Sequence, residues 1–253
     1  MVDIHIHILP GMDDGSADIN ESLEMAQLAV ESGVTHMAVT PHSYADEDFF
    51  ADSYDEAFNY FKNELEKNDI NLKIYPGMEI LSFPGMGELL RQGKLKTINN
   101  TRYALMEFNF NEDKWLMEKY TEEVKDAGFI PVIAHLERYQ TVQKELRFAY
   151  ELLEKGCVIQ MNKGSIKGRF GKHAMKAAWE LLNCNLVHVI ASDAHSSEFR
   201  TPYMADVADI ISEEFSPEHA ELYMNENPMR ILQGRAVDGF EPREPRGKRG
   251  WFN

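Results

Sequence analysis

A chain of 253 residues, 43% hydrophobic and 27% charged, has enough apolar material for one large α/β domain or two small ones. Its formal charge of −16 argues against nucleic acid as the main partner, because a phosphate backbone needs a basic face. With two cysteines (Cys157 and Cys184) that form neither a metal motif nor a disulfide framework, no apolar run of membrane-spanning length and no room for a signal peptide before Asp3, the expectation is a cytoplasmic protein without a transmembrane segment.

The first predicted strand covers residues 4–8. Alternation along it puts Asp3, His5 and His7 on one face and Ile4, Ile6 and Ile8 on the other. Two imidazoles two residues apart are half of a metal site. The turn at 9–15 breaks the strand and offers two further carboxylates, Asp13 and Asp14. A helical pattern over 19–32 ends at Gly33, and a strand follows at 36–40. Next come a helix at 54–67, a strand at 72–75, a short helical stretch at 87–91, a strand at 103–108 and a helix at 115–127. Strand 130–134, helix 145–155, strand 157–161, helix 172–182 and strand 186–191 continue the alternation. Helices near 204–212 and 217–225 and a last turn near 229–232 complete it.

About seven strands alternating with helices imply parallel strands and right-handed crossovers, in a barrel or an open sheet. Chemistry-bearing residues recur at strand C-terminal ends, which is where a barrel carries its site. The Gly-rich phosphate fingerprint often found in an open doubly wound sheet is absent. One domain is expected over 1–238. Residues 239–253 read as a basic, flexible tail, with Arg243, Arg246, Lys248 and Arg249 ahead of Trp251-Phe252.

Each strand end after the first adds a metal-capable group. Thr40-Pro41-His42 ends the second, Pro76-Gly77-Met78-Glu79 follows the third, and Glu107 lies on the fourth. His135 ends the fifth strand and Ser192-Asp193-Ala194-His195 the seventh. With His5, His7 and Asp14 this makes five histidines and four carboxylates on one face. Nine nitrogen and oxygen ligands without a thiolate are too many for one ion and suit two or three divalent metals, manganese first and iron or zinc as the other candidates.

These motifs, with the Asp-Asp-Gly turn and the Ile-Pro-Val-Ile-Ala-His-x-Glu-Arg run at 130–138, resemble the PHP (polymerase and histidinol phosphatase) superfamily. Within it the chain is similar to the CpsB/YwqE-type bacterial protein-tyrosine phosphatases over residues 2–235. The resemblance implies a single-domain α/β fold, a PHP-type distorted (β/α)7 TIM-like barrel with a trinuclear centre. Carried over by motif, one metal would take His5, His7, Glu79 and Asp193, and a second would share Glu79 and take Glu107 and His135. A third would take Asp14, His42 and His195. Sequence leaves open whether Asp13 or Asp14 faces inward. The resemblance also gives Arg138 and Arg200 the role of binding phosphate, for which a planar guanidinium suits better than an ammonium.

The implied activity is hydrolysis of phosphotyrosine by direct attack of a metal-activated water, on a phosphorylated bacterial tyrosine kinase tail or another phosphotyrosine protein that controls capsular or extracellular polysaccharide synthesis. A small-molecule phosphomonoesterase of histidinol-phosphate type and a non-catalytic metal-binding module are the alternatives. A cysteine nucleophile is excluded, because the position six residues on from Cys157 is Lys163 and from Cys184 is Ile190, where that chemistry needs arginine. Two loops are candidates for reading the substrate. The segment 162–173 carries Lys163, Lys167, Arg169 and Lys172 without an acid, either as a substrate-attracting loop or as a solvated helix start. Tyr44, Phe49 and Phe50 follow His42 and either stack on a phenyl ring or pack on the barrel rim.

Overall fold

The computed structural model describes residues 1–43 and 51–245, with backbone only at 51 and 52. Among these residues the strands are β1 (Val2–Asp3), β2 (His36–Val39), β3 (His42–Ser43), β4 (Lys73–Pro76), β5 (Glu79–Leu81), β6 (Tyr103–Glu107), β7 (Ile130–Ile133), β8 (Val158–Asn162) and β9 (Val189–Ala191). All pair in parallel, in the orders β1-β2-β4 and β3-β5-β6-β7-β8-β9.

The two sheets are parts of one curled sheet. β2 and β3 are halves of one stave interrupted at Thr40-Pro41, where proline has no N–H for the ladder. β4 and β5 are halves of another, broken at Gly77-Met78; a Cβ on Gly77 would lie 2.9 Å from the Thr40 methyl. The last stave meets the first through Asp193 N donating to His5 O (2.8 Å) and His7 N donating to Ala194 O (2.9 Å). Counted this way there are seven staves in a distorted barrel, and the open-sheet alternative falls away. The regular pairing falls just before the expected strand at 4–8, at Val2–Asp3, and within 4–8 there is an isolated Ile6–Ala194 bridge.

The helices are α1 (Ile19–Glu31), α2 (Ala51–Lys67), α3 (Met86–Arg91), α4 (Lys114–Asp126), α5 (Gln140–Lys144), α6 (Arg147–Glu154), α7 (Lys163–Ile166), α8 (Lys172–Asn183), α9 (Ala205–Glu214), α10 (Pro217–Glu221) and α11 (Asn227–Leu232). α1 starts where Asp18 Oδ1 accepts from the N–H groups of Asn20 and Glu21, and it ends before Gly33 at φ +89°. The period-two pattern of the strands builds two cores. Val2, Leu105, Val132, Val158 and Val189 cluster together, while Met106, Ile133, Ile159 and Ile190 join the larger cluster that includes helix residues such as Met25, Val124 and Leu181. Two residues on from Leu105 and Val158 the same strand faces carry Glu107 and Gln160, so the packed floor gives way to polar chemistry at the strand ends.

The tail does not leave the fold at residue 239 as expected. The Phe240 ring stacks on His219 at 3.8 Å, Arg243 N donates to Cys184 O (2.8 Å) and Glu244 pairs with Arg147 (3.1 Å). Arg246, Lys248, Arg249, Trp251 and Phe252 lie outside the described residues. No helix among the described residues is long and apolar enough to cross a membrane.

Candidate metal centre

The strand ends converge in three groups that share members. In the first, His5 Nε2 and His7 Nε2 stand 3.3 Å apart. Glu79 Oε2 lies 3.1 Å from His5 and 3.2 Å from His7, and Asp193 Oδ1 lies 3.5 and 3.4 Å from them. For ligand bonds of about 2.0–2.2 Å, the edges of a coordination tetrahedron or octahedron are about 3–3.5 Å long. These four atoms therefore sit where the corners of one coordination sphere belong. All four side chains are buried.

In the second group, His42 Nδ1 lies 2.9 Å from Glu107 Oε1 and 3.2 Å from Glu79 Oε2. His135 Nε2 reaches the other Glu79 oxygen at 2.8 Å and Glu107 Oε2 at 3.7 Å. Glu79 thus sits between the groups, its Oε2 shared by His5, His7 and His42 and its Oε1 turned to His135. In the third, Asp14 Oδ1 lies 3.4 Å from both His42 Nε2 and His195 Nε2, with His7 beside them. Of the Asp pair it is Asp14 that joins this group, from an exposed position, while the Asp13 side chain is buried. Eight of the nine residues singled out in the sequence form groups that could each hold an ion, and His135 joins them through Glu79 and Glu107.

Asp13 does something else. Its Oδ2 accepts from His7 Nδ1 (2.7 Å) and from His42 N (2.9 Å), and its Oδ1 accepts from Gly15 N (2.9 Å). It therefore fixes the His7 proton on Nδ1 and turns Nε2 toward the cluster. His5 is set the same way by Gln160 Oε1 (3.0 Å), which also accepts from His135 N (2.8 Å). Gln160 Nε2 donates to Asn162 Oδ1 (3.0 Å), and Asn162 Nδ2 donates to Asp193. The third residue of the opening face, Asp3, is not in the cluster; its carboxylate accepts from Ser192 N (3.1 Å) and His5 N (3.3 Å). His135 (φ 34°) and Asp193 (φ 47°) both adopt the left-handed backbone conformation, which non-glycine residues enter at a cost of about 1–3 kcal/mol.

The electrostatics match an acidic seat for cations. Burial opposes charge on His5, yet Glu79 and Asp193 outweigh it and raise its pKa to about 9. Against the same burial, the neighbouring histidines hold Glu79 and Asp193 well below the usual carboxylate range. Burial, helped by His7, depresses His195 to about 3.

A cleft of about 330 Å³ opens over the cluster. Leu81, Phe108 and Phe110 supply apolar wall, and Arg138 and Arg200 line it beside the metal-capable groups. Arg138 Nη1 lies 3.4 Å and Arg200 Nη2 2.5 Å from Asp193 Oδ2. The Arg138 guanidinium is sandwiched between Phe110 (4.3 Å) and Phe170 (4.2 Å). Neither cysteine lines the cleft. Burial pushes the Cys157 thiol up to about 12 and raises that of Cys184.

The basic loop lies beside the cleft and not in its lining. The chain enters α7 directly after β8, which buries Lys163 and lets its Nζ donate to Tyr203 O (2.5 Å). Lys167 pairs with Asp206 and Arg169 donates to Phe199 O, so none of the three lines the cleft. Tyr44, Phe49 and Phe50 lie outside the described residues. Sequence reasoning passed over Asp13 as a positioning group, and over Gln160, Asn162, Phe110 and Phe170. Only Gln160 and Asn162 carried a signal, as two polar residues two apart in an otherwise apolar strand.

A family model described as capsular polysaccharide synthesis, CpsB/CapC, matches residues 1–233. The tyrosine-protein phosphatase YwqE of Bacillus subtilis is 34% identical, covering 100% of this chain and 99% of its own. The tyrosine-protein phosphatase CpsB of Streptococcus agalactiae serotype III is 33% identical, covering 94% of this chain and 100% of its own. The crystal structures of YwqE from Bacillus subtilis and CpsB from Streptococcus pneumoniae, described as metal-dependent tyrosine phosphatases, include a chain that superposes with a TM-score of 0.91. It is 33% identical, and the match covers 98% of this chain and 100% of that one. A lactonase of Listeria monocytogenes shares the fold alone, at a TM-score of 0.57 and 9% identity over 93% of this chain and 92% of its own.

Proposed function

The chain belongs to the CpsB/CapC family, and on that premise we propose that it is a metal-dependent protein-tyrosine phosphatase. The observation that carries this reading is the joint presence of three overlapping metal-capable groups and two arginines in one cleft. His5, His7, Glu79 and Asp193 would hold one ion, Glu79, Glu107 and His135 a second, and Asp14, His42 and His195 a third. The spacing in the first group and the all-nitrogen-and-oxygen donor set fit manganese, with iron or zinc tolerating the same groups. When bound, such ions lower the pKa of a coordinated water and offset the charge on phosphoryl oxygens.

The chain's own residues supply the rest. Arg138 and Arg200 release Asp193 and bind two phosphoryl oxygens, each through its planar fork. Phe110 and Phe170 keep the Arg138 plane fixed, and Phe108 and Phe110 provide the wall along which a phenyl ring lies. A tyrosine leaving group has a pKa of about 10, so its departure depends little on a protein acid. The thiols take no part, because burial keeps both protonated. Two unpaired cysteines fit a reducing cytoplasm, and the family description fits a substrate in capsule or exopolysaccharide synthesis, such as the phosphorylated tail of a bacterial tyrosine kinase.

The test compares phosphate release from a tyrosine-phosphorylated kinase-tail peptide and from histidinol phosphate, each with manganese or chelator. Manganese-dependent preference for the peptide is expected. Preference for histidinol phosphate would keep the metal chemistry and overturn the substrate class.

A further inference from the structure

The net charge of −16 is unevenly spread. Residues 163–179 hold five lysines and arginines and no acid. Four of the five, Lys167, Arg169, Lys172 and Lys176, are exposed. Of the large apolar side chains exposed among the described residues, Met175, Phe199 and Tyr203 stand on the same strip, Phe199 at 74%. The strip is continuous. Arg169 donates to Phe199 O, Lys163 reaches Tyr203 O, and a Cβ on Gly168 would meet Met175 Sδ at 3.1 Å.

The strip also runs into the cleft. Phe170 follows Arg169, and its ring lies 4.2 Å from the guanidinium carbon of Arg138 and 5.5 Å from that of Arg200. Three acids stand beside the strip: Asp206, which pairs with Lys167, Glu180, which lies 3.7 Å from Lys176, and exposed Glu198, next to Phe199 in the chain. Lys172 has no ion-pair partner among the described residues, and the Arg169 guanidinium is held by a backbone carbonyl. With four exposed basic side chains against three acids, the strip is net basic on a strongly acidic protein and attracts acidic chain, while its aromatic and thioether side chains offer adaptable apolar contact.

We propose that this ledge binds the acidic residues flanking the phosphotyrosine of a protein substrate, so that the enzyme prefers phosphotyrosine in acidic sequence. The inference rests on the phosphotyrosine reading of the cleft. It favours a peptide over an anionic membrane because the ledge adjoins the arginines that take the phosphate, and because the rest of the molecule repels an anionic surface. The ledge acts through charge at exposed positions, so its effect is large at low salt and screened at high salt.

The test uses the whole manganese-loaded chain and two peptides of equal length carrying a non-hydrolysable phosphonate analogue of phosphotyrosine, one with aspartate and glutamate flanks and one with asparagine and glutamine. The wild type is expected to bind the acidic peptide several-fold more tightly at low salt, and the Lys172→Glu/Lys176→Glu variant to lose about tenfold on that peptide alone. A Phe199→Ser variant, which alters no charge, is expected to weaken both peptides equally. Free phosphotyrosine turnover serves as the control and should be unchanged in all variants. Equal affinity of the wild type for the two peptides would overturn the proposal, as would loss of both in the charge-reversed variant. Loss of binding to phosphatidylserine vesicles with no change in peptide discrimination would assign the ledge to a membrane instead. Failure of the wild type to turn over phosphotyrosine ends the parent reading and is seen separately from any of these.

Discussion

Replacing Asp13 by asparagine changes no atom count at the cleft and tests whether the groups behind the ligands matter. Two Asp13 oxygens accept three N–H groups, from His7 Nδ1, His42 N and Gly15 N, at 2.7–2.9 Å. Asparagine has one oxygen and an NH₂ in place of the other. If the NH₂ faces His7 and His42, two donors confront it, and His7 relieves the conflict by moving its proton to Nε2, the atom aimed at Glu79 and Asp193. If the amide flips, Gly15 N faces the NH₂ and the turn carrying Asp14 loses its tether. Either way one of the three bonds fails. Losing a hydrogen bond that orients a metal-binding histidine costs about 10–100-fold in metal affinity, or roughly 1.4–2.7 kcal/mol. The assay is manganese binding by calorimetry, in parallel with turnover of a phosphotyrosine peptide as manganese is raised. The variant should need about 10–100 times more manganese and recover much of its turnover once saturated. Wild-type manganese affinity in Asp13→Asn would refute the reasoning.

Three more outcomes follow from other parts of the molecule. An Arg138→Ala variant should keep its metal content and lose roughly 10²–10³-fold in turnover, measured with metal analysis on the same sample; full activity would remove the residue from phosphate binding. Gly15→Ala should lower stability by roughly 1–3 kcal/mol and weaken metal binding, because the new Cβ would meet His7 O at 2.2 Å; an unchanged melting temperature would contradict this. His188 is half-buried, and desolvation depresses its pKa from 6.5 to about 4, while its Nδ1 accepts from Ile159 N at 3.0 Å. The unfolded chain therefore binds this proton first, so stability present above pH 6.5 is lost as pH falls toward 4, by about 2 kcal/mol between pH 7.5 and 5. Urea unfolding of His188→Gln, which keeps an acceptor and does not titrate, should lack that portion of the slope.

Much of the site could be read in the sequence because its ligands sit at strand ends, where period-two alternation and a following turn mark them. Glu107 two residues on from Leu105 is such a case. Asp13 and Asp14 show the limit: adjacent carboxylates in a turn take different partners, and only the pairing of Asp13 with His7 Nδ1 and His42 N leaves Asp14 as the one beside the ring nitrogens of His42 and His195. The breaks at Thr40-Pro41 and Gly77-Met78 hid the fact that four short strands form two staves. That Lys163 and Lys167 stay out of the cleft lining was not legible because their partners are distant in sequence; Asp206 is 39 residues from Lys167 and Tyr203 is 40 from Lys163. Phe170 carried no signal at all, since an aromatic in a Gly-rich turn reads as loop until the two arginines appear beside it.

The account stands on the cluster being a working metal centre. The most direct test starts from chelator-treated protein, adds manganese in steps, and measures bound metal and phosphate release from a phosphotyrosine peptide on the same samples. Turnover should be absent without metal and should rise in step with occupancy to two or three ions per chain. Full turnover in the metal-free protein, or full occupancy without turnover, would contradict it.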